Sequence, residues 1–309
     1  MARTAILFTG QGAQSVGMGR DFAEASPAAA EVFERANAIV GYDLRSLCFE
    51  GPPEKLEQTD IQQPAIFVTS VAIWRALHDG KDLDETPVAM AGLSLGEYTA
   101  LLAAGAVRFE EALRLVKRRG ELMQSAARAV PSGMVSAMGL DLDQVEAICR
   151  EAASGQVLGP ANFNCPGQIV ISGEQAACER AIQLIEAAGG RAIPLKVAGA
   201  FHSALMKPAA DGLAAVLAET EFTPPRIPVV ANVNCQYHLD PATIRQWLAD
   251  QVTHPVRWQA SIERLLAEGV ERFVEIGPGR VLTGLLRKID RKAPVVNVST
   301  VDGLAQLVG

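Results

Sequence analysis

Residues 92–96 read Gly-Leu-Ser-Leu-Gly, directly after the apolar run Val88-Ala89-Met90-Ala91 and directly before Glu97-Tyr98-Thr99-Ala100-Leu101-Leu102, a stretch of helical character. A strand that turns into a helix through Gly-x-Ser-x-Gly is a nucleophile elbow. The glycines allow a tight reversal, and the serine hydroxyl projects above the positive end of the helix. Ser94 is thereby a candidate for covalent catalysis. The pentapeptide alone is a weak signal, because Gly and Ser are common in turns; the strand before it and the helix after it make the argument.

A serine hydroxyl is a poor nucleophile until a base takes its proton, and histidine is the usual base because it titrates near neutrality. The chain has four: His78, His202, His238 and His254. His78 closes a helical stretch before Asp79-Gly80, and His238 lies in the turn-like run Cys235-Gln236-Tyr237-His238-Leu239-Asp240, so both are expected to be solvated. His202 follows Val197-Ala198-Gly199-Ala200-Phe201, where an inserted unit returns to the main domain, and is the preferred base. His254, before Pro255, is its rival.

A third residue speaks to the substrate. On the helix expected from about Phe109 to Ala127, Ala112, Leu115, Val116, Arg119, Leu122, Met123 and Ala126 form one stripe, whereas Glu111, Arg114, Arg118, Glu121 and Ser125 form the polar face. Arg119 stands where a leucine belongs. A buried guanidinium must be paired, since an isolated charge in low dielectric is costly. Its partner is either an internal Asp or Glu or a carboxylate that arrives with the substrate and is held bidentately.

The elements that must position these residues alternate. Ala5-Ile6-Leu7-Phe8 reads as a buried strand ending in the loop Thr9-Gly10-Gln11-Gly12-Ala13-Gln14. That loop lacks both the third glycine of a dinucleotide fingerprint and the Gly-Lys-Ser/Thr of a phosphate loop, so nucleotide binding is rejected. Helical patterns follow from about Asp21 to Val40 and Pro64 to His78, and the apolar runs Pro228 to Val233, Phe273 to Ile276 and Val295 to Val298 read as further strands. The fold class is α/β with a largely parallel sheet.

Between about Ser132 and Val197 the rhythm changes. Strand Met134 to Leu140, helix Asp141 to Ala153, strands Val157 to Phe163 and Gln168 to Ser172, helix Glu174 to Ala188 and strand Ala192 to Val197 give β-α-β-β-α-β, a ferredoxin-like unit. The expected division is a large core over 1–130 and 199–309 with an inserted subdomain over 131–198. Clefts between such units favour ligands.

At 309 residues the chain can bury a large core, and its 49% apolar and 20% charged content is that of a globular enzyme. A net charge of −7 argues against nucleic acid as a partner. No run of eighteen apolar residues and no secretory leader pattern occur, so a cytoplasmic protein without membrane contact is expected, and a monomer. Five scattered cysteines, Cys48, Cys149, Cys165, Cys178 and Cys235, show no C-x-x-C or metal-ligand spacing and are expected to be reduced core residues, with Cys165 in a turn as the one candidate for reactivity.

With these residues in hand, the chain resembles the malonyl-CoA:acyl-carrier-protein transacylases and the related acyltransferase domains of polyketide synthases. The resemblance runs nearly end to end, through Gly10-Gln11-Gly12-Ala13-Gln14, Gly92-Leu93-Ser94-Leu95-Gly96-Glu97, Arg119-Gly120-Glu121-Leu122-Met123-Gln124, Ala161-Asn162-Phe163-Asn164, Gly199-Ala200-Phe201-His202 and Glu275-Ile276-Gly277-Pro278-Gly279. It implies a hydrolase-like core carrying a ferredoxin-like subdomain, and a role for each matched residue. Ser94 would be acylated, His202 would act as base and then acid, and Arg119 would bind the free carboxylate of a malonyl group. The backbone N–H groups of Gln11 and Leu95 would form the oxyanion hole, and the backbone carbonyl of Gln251 would orient His202, leaving His254 as a neighbour. Asn162 would belong to the substrate pocket on the small subdomain.

Many members have histidine where this chain has Leu93, so packing under the acyl group is expected to differ while proton transfer through His202 survives. The string ending in Phe201-His202 resembles the version associated with malonyl selection. The implied reaction is a ping-pong transfer from malonyl-CoA to the phosphopantetheine thiol of acyl carrier protein, for fatty-acid or polyketide synthesis, with no metal or other cofactor. Lys117, Lys207, Arg257, Arg280, Arg287 and Lys288 are candidates to face an acidic carrier. The alternative is a serine hydrolase that clears acyl groups from CoA or carrier protein. An ordinary α/β-hydrolase, however, keeps its histidine near the C-terminus, and none follows His254. A non-catalytic carrier-docking module is disfavoured by the intact Ser94, His202 and Arg119.

Overall fold

A computed structural model describes residues 2–78 and 86–308; Asp79 and Gly80 lie outside them. The described residues form eight strands: β1 (Thr4–Phe8), β2 (Ala89–Gly92), β3 (Ser132–Met138), β4 (Leu158–Cys165), β5 (Gln168–Glu174), β6 (Arg191–Pro194), β7 (Arg272–Ile276) and β8 (Val295–Val298). They make two separate sheets, ordered β2-β1-β7-β8 and β4-β5-β3-β6. The first is parallel throughout, with Phe8 paired to both Gly92 and Ile276. Its β1, β2 and β7 are buried almost end to end, which explains their continuous rather than alternating apolar runs.

The second sheet is antiparallel and shows the strand order of a ferredoxin-like unit. Helices Leu142–Ala153 and Gln175–Ala187 cover one face of it and share a core of their own, including Val135, Val145, Ile148, Ile171, Ala181 and Ile185. A capping box at Asp141 and Gln144 starts the first of these helices. The small sheet is tied to the core where Asn162 on β4 pairs with Val256: Phe163 N–H donates to the Val256 carbonyl and Val256 N–H to that of Ala161, both at 2.9 Å.

The structure corrects four expected elements. The helix expected over Asp21 to Val40 is two, Arg20–Ala25 and Pro27–Val40, because Ser26 leaves helical geometry, accepts a bond from Ala29 N–H and hands over to a proline at the first helical position. The next helix starts earlier, at Thr59, with Pro64 inside it. Gln124 Oε1 accepts the orphan Thr59 N–H at its start. The strand expected over Pro228 to Val233 shrinks to bridges at Val229 and Val230, since the chain turns at Ala231–Cys235. The last strand of the small unit ends at Pro194 rather than Val197; Leu195, Lys196 and Val197 instead line a cleft.

Candidate active site

Close backbone approach builds the elbow. A Cβ on Gly92 would lie 1.9 Å from the Gly96 carbonyl carbon, one on Gly96 would lie 2.2 Å from the Phe8 oxygen, and one on Gly10 would lie 2.2 Å from the Leu93 oxygen. Only hydrogen fits at these three positions. Ser94 sits at φ 51°, ψ −101°, a conformation costly for a non-glycine residue, between the end of β2 and helix Leu95–Ala103. Asn232 brackets it. The Asn232 Oδ1 accepts from Ser94 N–H at 2.6 Å, while its Nδ2 donates to the Gly92 carbonyl at 2.8 Å.

His202, also at positive φ, places Nε2 2.9 Å from Ser94 Oγ and Nδ1 2.7 Å from the backbone carbonyl of Gln251. A carbonyl accepts only, so Nδ1 carries the proton and Nε2 is free to accept one from the serine. Burial, and then the charge of Arg119, push the imidazole pKa down to about 4, so the ring is neutral near pH 7.

Arg119, on helix Phe109–Ala129, is 1% exposed. Its Nη1 donates to Gln63 Oε1 at 2.6 Å; its Nη2 donates to Ser94 Oγ and to Gln251 Oε1, each at 3.0 Å. The guanidinium carbon lies 5.1 Å from the centre of the Tyr98 ring, and among the described residues Nε has no hydrogen-bond partner. None of these contacts is a carboxylate. Burial lowers its pKa, yet a guanidinium stays protonated in proteins. The site thus holds a desolvated cation, in contact with the Ser94 hydroxyl, whose hydrogen-bond partners are neutral. Gly120 beside it permits this packing: a Cβ there would lie 2.9 Å from the Thr59 oxygen, so the helix bearing Gln63 comes close to the helix bearing Arg119.

A cleft of about 430 Å³ opens over Ser94 and His202, lined also by Gln11, Leu93, Asn162 and Phe201, with Val281, Leu285, Leu195 and Lys196 among its other walls. Among the described residues, no protein acceptor takes the N–H of Gln11, or that of Leu95 at the start of the helix after Ser94. Two amide donors therefore remain available. Leu93 N–H is bonded to the Phe8 carbonyl, leaving its side chain as an apolar part of the wall.

The remaining histidines separate cleanly. His254 is exposed, with Nδ1 2.8 Å from the Asp250 carbonyl, and His78 is half-buried against the Trp74 carbonyl. His238, expected to be solvated, is instead buried, and its Nε2 donates to Glu97 Oε1 at 2.7 Å. The polar turn around it hid this, because its partner lies 141 residues away. Glu97, Asn232, Gln63 and the Gln251 side chain were likewise missed; only Glu97, polar on an otherwise apolar helix, gave any signal.

Four cysteines are buried and Cys235 is half-buried; burial raises the thiols, Cys165 included, and none lines the cleft. Of the basic candidates for a carrier, Lys288 donates to the cleft-lining Gln168 and Arg280 to Asn297, whereas Lys207 pairs with Asp211 and Lys117 donates to the Val40 carbonyl. Among the described residues, no group of three or more His, Cys, Asp or Glu is arranged to hold a metal, and no helix is long and apolar enough to cross a membrane.

A family model described as an acyl transferase domain matches residues 6–306. The chain belongs to this acyl transferase family. It is 47% identical over 290 residues to the malonyl CoA-acyl carrier protein transacylase of Salmonella typhimurium, covering 94% of this chain and 93% of that protein. To the protein of that name from Bacillus subtilis it is 43% identical over 301 residues, covering 97% and 94%. Among solved structures, an acyl carrier protein S-malonyltransferase from Vibrio cholerae superposes with a TM-score of 0.94 at 45% identity, covering 99% of this chain and 100% of that one. A malonyl-transacylase in complex with a type II PKS acyl-carrier protein superposes at 0.95 and 44% identity, with 99% of both chains covered. The acyl transferase fold of these relatives is thus shared over the whole described chain.

Proposed function

We propose that the protein transfers a malonyl group from malonyl-CoA to the phosphopantetheine thiol of acyl carrier protein, in fatty-acid or polyketide synthesis, through an acyl-enzyme on Ser94. The observation that carries this reading is Arg119, a buried cation 3.0 Å from the Ser94 hydroxyl with no carboxylate among its contacts. An acid-terminated acyl group on Ser94 supplies what it lacks.

The chemistry runs in two matched halves. Ser94 Oγ attacks the thioester carbonyl as His202 Nε2 takes its proton; the oxyanion is received by the N–H groups of Gln11 and Leu95. Collapse breaks the C–S bond, and the departing CoA sulfur takes the proton from His202. In the second half the carrier thiol gives its proton to His202, its sulfur attacks the ester, and Ser94 leaves with the proton restored. The Gln251 carbonyl stabilises the imidazolium formed in each half. Thioesters are activated acyl donors, so nucleophile, base, oxyanion donors and a carboxylate clamp suffice.

In this reading the core over 1–130 and 199–309 holds the reacting groups, while the subdomain over 131–198 contributes Asn162 to the acyl pocket. The setting is the cytoplasm. The experiment supplies malonyl-CoA and carrier protein together and measures malonyl-carrier against free malonate. Malonyl-carrier is expected as the main product; mostly free malonate identifies a hydrolase instead.

A further inference from the structure

Beneath the reacting groups lies a buried carboxylate that the proposed steps do not use. Glu97, in the first turn of the helix after Ser94, has no exposed surface. Its Oε1 accepts from His238 Nε2 at 2.7 Å; its Oε2 accepts from the backbone N–H of Asn232 at 3.0 Å and from Gln251 Nε2 at 2.7 Å. All three donors lie more than 130 residues away in the chain. Two of them belong to residues already tied to the chemistry. Asn232 brackets the elbow, and Gln251 holds the base through its carbonyl and the clamp through its side chain.

The Gln251 amide is the informative part. One end meets Glu97, which when ionised can only accept, and the other meets Arg119, which can only donate. This fixes the amide in one orientation, Nε2 toward the carboxylate and Oε1 toward the guanidinium; the flipped amide would set oxygen against oxygen and nitrogen against nitrogen. A second bond, from Nε2 to the Ser94 carbonyl at 3.0 Å, agrees with that orientation. The chain from Glu97 through Gln251 to Arg119 therefore joins a negative and a positive charge through an oriented dipole in a water-poor interior, where such bonds are strong.

We propose that Glu97 is a positioning residue: its carboxylate orients the Gln251 amide toward Arg119 and so sets the clamp that selects an acid-terminated acyl group. This inference rests on the malonyl reading above. It predicts a specificity effect, because an acyl group without a terminal carboxylate makes no use of the clamp.

The test is Glu97→Gln, which keeps shape but lets either end of its amide face Gln251, with kcat/KM measured for malonyl-CoA and acetyl-CoA at saturating carrier protein. The malonyl-to-acetyl ratio is expected to fall roughly 10- to 100-fold, the scale of one lost hydrogen bond to a charged group. Equal losses for both donors, or an unchanged ratio, overturn the proposal by reducing Glu97 to ordinary support. Gln251→Leu gives an independent reading if the first variant does not fold, since it keeps the carbonyl that holds His202 and deletes the bridge together with the bond to the Ser94 carbonyl. The same fall in ratio is expected, and a preserved ratio again contradicts the proposal. If the parent protein itself transfers no malonyl group, the functional reading fails, a result distinct from either variant outcome.

Discussion

A guanidinium buried beside a serine is an unusual thing for a protein to maintain, and its neutral partners make the chemical argument sharp. Desolvation penalises Arg119, while Gln63, Ser94 and Gln251 offset part of that cost through uncharged oxygens. In the proposed clamp, a carboxylate on the acyl group would gain a charge-assisted contact that an acetyl group cannot make. Arg119→Ala is expected to lower malonyl kcat/KM about 10- to 100-fold more than acetyl kcat/KM. Parallel rates with the two acyl-CoA donors check this, and equal losses would remove Arg119 from the clamp. His202 carries a second residue-level prediction. Because the proposed base must be neutral to accept a proton, and its pKa is pushed down to about 4, kcat/KM should hold as pH falls through 6 and be lost only as pH passes through about 4. An acid limb near the ordinary histidine value, about 6.5, would contradict the buried, cation-flanked environment. At this scale Ser94, His202 and Arg119, which the structure brings together, were legible in the chain: Ser94 from its glycine-flanked turn, His202 from its place where the inserted unit returns, and Arg119 from a charge on an apolar stripe. Asn232 and His238 were not, since the bonds that tie them to Ser94 and Glu97 span well over a hundred residues, and Glu97 showed only as a polar residue on an apolar helix.

The elements place these residues by close approach more than by side-chain packing. Gly96, second in its helix, lies against the Phe8 oxygen, and Gly120 lets the helix bearing Arg119 touch the start of helix Thr59–Leu77. Gly96→Ala forces a methyl group to within 2.2 Å of that oxygen, so the elbow must open, and transfer should be lost with a lowered melting temperature. Thermal denaturation and acylation assays on the purified variant check both; wild-type behaviour would show that the elbow tolerates a side chain. Gly120→Val should separate the two helices and loosen the Gln63 contact, reducing malonyl transfer by about tenfold or more, on the scale of one lost charge-assisted bond. The apolar periodicities made most helices and strands legible. Their ends were not, wherever a single residue decides: Ser26 divides one expected helix because a capping serine followed by proline outranks the apolar pattern across it, and Ala231–Cys235 turns away before a full strand can form.

For the whole molecule, the sequence made the ferredoxin-like order readable, but not how the small unit meets the core. That contact includes a two-bond bridge between β4 and Val256, again far apart in the chain, which carries Asn162 to the wall of the cleft. Folding also couples the site to stability. In the unfolded chain His202 titrates near 6.5, whereas the folded state holds it down to about 4. Above 6.5 neither state binds the proton and stability is full; as pH falls from 6.5 toward 4 only the unfolded chain takes it up, costing ~3 kcal/mol. Denaturant melts of the parent and of His202→Ala across this window should show that the variant loses less stability on acidification. Identical pH slopes would mean that His202 is not protected from protons by the fold.

Malonyl transfer by this route requires that Ser94 become acylated with an acid-terminated group. Mass mapping of the protein after incubation with malonyl-CoA in the absence of carrier protein tests this step. A malonyl adduct is expected on the peptide containing Ser94 and none anywhere in Ser94→Ala. An unmodified Ser94, or an adduct that persists on another residue in the variant, would contradict it.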